Sequence, residues 1–152
     1  MPDAETLKRA QRDAAEGKSP STQAGEFVRE EIHHIREGKH GARSTKQAIA
    51  IGLSKARRAG VALKTPEKGT VSEETRKSVA RDTVKARKGP HPVSRTRSRA
   101  TTEALEHEGH AAASHAALAK QAHAVARRRG PKARSASAKK AARTRARRRA
   151  HG

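Results

Sequence analysis

Twelve Lys and Arg residues stand in the last 26 positions with no Asp or Glu among them: Arg127, Arg128, Arg129, Lys132, Arg134, Lys139, Lys140, Arg143, Arg145, Arg147, Arg148 and Arg149. Spaced by Ala and Ser, they suit charge-assisted contact with phosphate oxygens. Each phosphate neutralised on a duplex releases counterions, so log K falls with log salt by about 0.9 per contact. Contacts of this kind position a protein but do not read bases. The plainer account is a charge run kept for solubility, which needs far less than this density. A second basic group, Arg43, Lys46, Lys55, Arg57 and Arg58, surrounds an Ile49/Leu53 stripe. It suits either a small helix-turn-helix with residues 44–59 laid against duplex or a solvated basic face on a packing helix, and Gln47 is its one amide base reader.

Other chemistries find less support. The nine His include His107 and His110 at i, i+3 and the adjacent pair His33 and His34 among Glu30, Glu31 and Glu37. Adjacent helical residues point about 100° apart and do not easily share a metal, and Gly109 loosens the other pair. These His are expected on solvated helix surfaces, adding charge below pH ~6.5, with no metal and no cofactor. Carboxylates and Ser fall on helix-prone or capping positions with no Gly-rich phosphate loop, so no catalytic constellation forms and an enzyme is not expected. Acids near the N-terminus suit i, i+4 pairs such as Glu5 with Arg9. One Phe and no Trp or Tyr leave almost nothing for base stacking or for an interfacial membrane helix. Zero Cys excludes thiolate sites, the opening MPDAETLKRAQRDAAEGKS has no apolar core, and no stretch approaches the ~20 apolar residues of a membrane span. A cytoplasmic location is expected, nucleoid-associated if DNA is the partner.

The elements that must position these cations are built from little apolar material. Ile, Leu, Val and Phe number 17 of 152, below the roughly 20% that accompanies disorder in highly charged chains, and 36 basic residues against 15 acids give +21. With 31 Ala, the chain makes helices more readily than it buries them. The fold class expected is mostly α, with a small helical hairpin, weak Ala-rich helices, a disordered basic C-terminal tail and no β-sheet. Residues 1–18 form a helix-prone charged segment and 19–63 a helix-loop-helix module. In that module Ser19 caps and Pro20 starts one helix bearing Val28, Ile32 and Ile35, ended by Gly38; Ser44 with Gln47 caps another bearing Ile49, Leu53 and Ala56, ended by Gly60-Val61. Residues 64–69 link to a third helix over 70–88 capped by Thr70 and Glu73. Residues 89–100, with Gly89-Pro90-His91-Pro92 and the run Ser94 to Arg99, read as linker, 101–129 as an Ala-rich helical segment bent or interrupted at Gly109, and 130–152 as the tail.

The block SPSTQAGEFVREEIHHIREGKHGARSTKQAIAIGLSKARRAGV, and less sharply KARKGP with RSRATTEALEHEGHAAASHAALAKQAHAVARRRG, resembles small, very basic bacterial proteins grouped as a domain of unknown function, some described as plasmid-stabilisation or DNA-binding. The resemblance implies a bacterial source and a nucleic-acid-associated role, and transfers no catalytic residue. The tail is similar to the arms of linker-histone-like proteins. Together these readings favour a non-enzymatic, histone-like binder of duplex DNA with little sequence preference. The alternatives are an interaction module that self-associates through Phe27, Ile32, Ile49 and Leu53, and an RNA- or ribosome-associated protein.

Overall fold

The structure, a computed structural model, describes residues 2–89 and 94–150. Two compact units divide the chain, Met1–Ser114 and His115–Gly152. The first holds α1 (Ala4–Ala15), α2 (Pro20–Arg36), α3 (Thr45–Arg58), α4 (Glu73–Arg87), α5 (Arg95–Glu106) and a 3₁₀ turn (Ala111–Ala113); the second is α6 (His115–Ala150). Among the described residues there is no sheet, only an isolated bridge between Lys68 and Val71.

Local chemistry sets the hairpin's ends. Ser19 is the N-cap of α2 with Pro20 at the first turn, although its hydroxyl meets those of Ser21 and Thr22 rather than a backbone amide. Ser44 accepts from Gln47 N at 3.2 Å, and Gln47 Oε1 accepts from Arg43 N at 2.8 Å, so a capping box reaches one residue further out than the usual form. At the far end Gly60 takes φ 90°, its N–H donates to Arg57 O and the Val61 N–H donates to Ala56 O, both at 3.0 Å. These two bonds make a Schellman ending, and Val61 folds back on the core.

That core is small. Ala10, Ala24, Phe27 and Ala56 are buried, with Leu7, Leu53, Val61 and Leu63 packed around them. Phe27 is wholly enclosed, a burial that contributes about 1.5–3 kcal/mol. Because most of this cluster is Ala, α2 and α3 alone leave it open, and α1 closes it with Leu7 and Ala10. The N-terminal segment is thus part of the fold. Phe27 and Ile32 lie inside it, which removes them from any self-association surface, while Ile49 and Leu53 are half-buried.

The helices meet closely. A Cβ on Gly52 of α3 would lie 2.7 Å from Val28 Cα of α2, so only glycine permits this approach. Below the hairpin, Thr45 Oγ1 donates to Ala112 O at 2.7 Å and Arg36 Nε to Ala113 O at 2.8 Å, docking the 3₁₀ turn on α2 and α3. The loop between those helices is fixed as well: Gly41 N donates to Leu105 O at 2.8 Å and Ala42 N to Gly109 O at 3.0 Å.

Several expected boundaries differ. α4 is capped by Ser72, which accepts from Thr75 N at 3.2 Å, rather than by Thr70, whose hydroxyl donates to Glu67 O. The Ser/Arg run expected as linker forms α5, because Ser94 serves as its N-cap and accepts from Arg97 N. The segment 101–129 is interrupted around Gly109, the stronger of the two effects expected there: α5 ends at Glu106 and helix resumes at His115. Gly130 breaks α6 at φ 73°, ψ 169°, where Gly130-Pro131 is expected to end it, but the tail beyond is helical through Ala150 rather than disordered. Pro131 can begin a helix as readily as it ends one, and the Ala, Arg and Lys after it are strong helix formers. The expected breaker at Pro90-His91-Pro92 and the tail's His151-Gly152 lie outside the described residues.

Candidate nucleic-acid interface

The five basic residues expected around α3 do not share one surface. Arg43 and Lys46 are exposed beside the first turn of α3. Lys55 points inward, its Nζ 2.7 Å from Glu31 Oε2 and 3.1 Å from Glu30 Oε1. Arg57 is buried, with Nε lacking a hydrogen-bond partner. Burial pushes its guanidinium below the usual value, with Asp82 opposing. Arg58 extends into solvent with Nε 3.4 Å from Asp82 Oδ1, an acid held also by Ser54 Oγ at 2.5 Å. Three of the five are therefore turned to intramolecular roles or set beside an acid, because Glu30, Glu31 and Asp82 face α3 from α2 and α4. A groove-reading helix needs its cations free on one side, and α3 keeps two of them so.

The tail has the opposite character. From His115 onward there are 13 Lys and Arg and no Asp or Glu, so +13 of the chain's +21 resides in α6. Arg127, Arg128, Arg129, Lys132, Arg134, Lys139, Lys140, Arg143, Arg145, Arg147 and Arg149 are all exposed, and Arg148 lies in the same helix by its backbone. Arg129 also donates to Ser137 Oγ at 2.7 Å across the Gly130 break, and Thr144 Oγ1 donates to Lys140 O at 3.1 Å. At about 1.5 Å per residue, the helix from Pro131 to Ala150 is about 30 Å long. A duplex of that length carries about 18 phosphates, at one charge per ~1.7 Å, and outnumbers the tail's cations.

A third cluster joins His34, Glu30 and Glu31, expected on a solvated surface, to His40 and Asp3. Glu30 and Glu31 are buried on α2, His34 and His40 are largely enclosed, with side chains 12% and 16% exposed, and Asp3 closes the group from the N-terminus. Only His33 of the adjacent pair fits the expected solvated surface. Asp3 N donates to Glu30 Oε2 at 3.0 Å, and His34 Nε2 lies 3.1 Å from Asp3 Oδ2. Burial alone would raise the Glu30 carboxyl, yet the Asp3 N–H, the Thr6 hydroxyl and the Lys55 ammonium hold it below the usual carboxylate value. Burial likewise opposes the charge on Lys55, and Glu31 and Glu30 override it and raise the ammonium. Asp3 is lowered, chiefly by its hydrogen bond with His34. The sequence signal was present in the spacing: Ala24, Phe27, Glu31 and Ile35 share one helical face, so Glu31 sits on the buried stripe.

No curated protein and no solved structure matches the chain. Residues 17–69, which hold α2, the loop, α3 and the run to Gly69, match the model of a family of unknown function (DUF6496).

Proposed function

We propose that this chain is a non-enzymatic, histone-like protein that binds duplex DNA with little sequence preference by neutralising phosphates, in association with the nucleoid. The observation that carries this reading is the one-signed side-chain charge of α6, which holds 13 Lys and Arg and no Asp or Glu. Helix α6 supplies the affinity, Arg43 and Lys46 add a small second contact, and the folded unit Met1–Ser114 carries the arm. The paucity of aromatic residues favours duplex over stacked single strands.

The test is a salt titration of duplex DNA and duplex RNA binding, with the full chain beside one ending at Ala126. A slope of at least about 5 in log K against log salt is expected for the full chain, from roughly half the tail cations at ~0.9 each, and most of it should vanish on truncation. A full chain whose affinity is indifferent to salt rejects the proposal. Preference for the RNA duplex would move the target to RNA through the same side chains.

A further inference from the structure

We propose that Glu31, His34 and His40 form a binding site for one divalent cation of the zinc class. One donor atom from each of the three lies within 4.8 Å of the others. Glu31 and His34 stand at i, i+3 on α2 and so share a face, while His40 comes from the following loop.

Two independent observations point to a cation rather than to a self-sufficient polar cluster. The Glu31 side chain is 1% exposed, and neither carboxylate oxygen has a hydrogen-bond partner of good geometry. Lys55 Nζ approaches Oε2 at 2.7 Å, leaving Oε1 turned to His40. His40 Nδ1 lies 3.0 Å from Gly41 O, and because a carbonyl only accepts, Nδ1 carries the hydrogen. In the neutral ring Nε2 then presents a lone pair to Glu31 Oε1 at 3.3 Å. A cation between the two atoms, a proton or a metal ion, satisfies this contact, and Glu31 Oε1 has no hydrogen-bond partner without one.

The dimensions suit zinc. Zn–N and Zn–O bonds of about 2.0–2.2 Å place tetrahedral donors roughly 3.3–3.5 Å apart, the separation already present between His40 and Glu31. The Nδ1–H bond to a backbone carbonyl is the outer-shell arrangement that fixes a ligating imidazole. The loop is held too, by the Gly41 and Ala42 amides on Leu105 O and Gly109 O. Imidazole and carboxylate donors favour zinc-like ions over magnesium or calcium, which take oxygen ligands. Donor atoms of Asp3, Glu30 and His34 also lie within 4.8 Å of one another, so three carboxylates gather around one ammonium in this corner. Water or Asp3 completes the fourth position.

The test uses the full chain titrated with cobalt(II) and then zinc. Expected are one-equivalent binding with the d–d absorption of tetrahedral cobalt, displacement by zinc, and a thermal midpoint raised by zinc and restored by chelator. Glu31→Gln and His40→Ala should each weaken binding at least about tenfold, the least that loss of even an outer-shell partner costs. A double His107→Ala, His110→Ala chain should bind as the parent does. His40→Ala lies in a loop outside the apolar core, so it decides the matter if Glu31→Gln does not fold. Absence of saturable one-to-one binding, or unchanged affinity in folded His40→Ala, overturns the proposal.

Discussion

Lys55 holds two carboxylates that are 2% and 1% exposed, so removing its ammonium strands both charges. Breaking a buried pair by deleting one partner costs about 3–5 kcal/mol, and Lys55→Met should lower stability by that order in urea unfolding. The salt slope of DNA binding should stay unchanged, since the Lys55 ammonium is engaged by Glu30 and Glu31; a lower slope with intact stability would instead put it on the phosphates. The same pair sets a pH window. Glu30 is held below its ordinary value of 4.5, so its contribution is present above that pH and lost as pH falls through the lower folded value. Lys55 is raised above 10.5, so its contribution is full below that pH and lost as pH rises through the higher folded value. Thermal midpoints should therefore fall on both sides of this window, and a midpoint that climbed on acidification below 4.5 would contradict the assignment.

Gly41 shows how an element can depend on one missing methyl. A Cβ there would run into the Glu108 carbonyl, and unlike Gly52 the position lies outside a helix, so no gain in helix propensity offsets the clash. Gly41→Ala should destabilise by about 1–3 kcal/mol and speed hydrogen exchange at the Gly41 and Ala42 amides, which lose their acceptors in 105–109. The C-terminal part of α6 rests on different forces. Lys139 with Arg143, Arg143 with Arg147, and Arg145 with Arg149 are like-charged i, i+4 pairs, each costing about 0.2–0.5 kcal/mol. Its helicity is intrinsic and opposed by repulsion. Far-UV circular dichroism of the full chain should therefore show helicity rising as salt or duplex DNA is added, and a chain ending at Ala126 should lack that increment.

Across the whole molecule, charge and burial are segregated. The unit Met1–Ser114 carries nearly every buried side chain and a net +8, with ion pairs such as Lys18–Asp13 at 2.6 Å and Arg9–Glu26 at 2.7 Å; the helix after it carries +13. The loss of salt slope expected on truncation at Ala126 belongs to this scale, because it depends on the number of cations and not on any one of them. Single Arg→Ala changes in α6 should each reduce the slope by about 0.9 at most, and a single change that abolished binding would show that one residue reads something. Among the described residues no helix is long and apolar enough to cross a membrane.

Helix ends were legible in the sequence because they rest on neighbours: Ser44 with Gln47, Gly60 with Val61, Ser19 with Pro20 and the break at Gly130 all act within a few residues. The tail's charge was legible too, being composition alone, as was the resemblance of the 17–69 block to a family of unknown function. The tail's helicity was less legible, because a low count of large apolar residues points to disorder while the propensity of Ala, Arg and Lys points to helix. Which polar groups are buried depended on tertiary structure. Lys55 and Glu31 lie 24 positions apart, and the loop that carries His40 is held, through Gly41 and Ala42, by a segment more than 60 positions further on. Local patterning sees short-range capping and total charge, whereas burial arises only when α1, α3 and residues 105–113 close around α2.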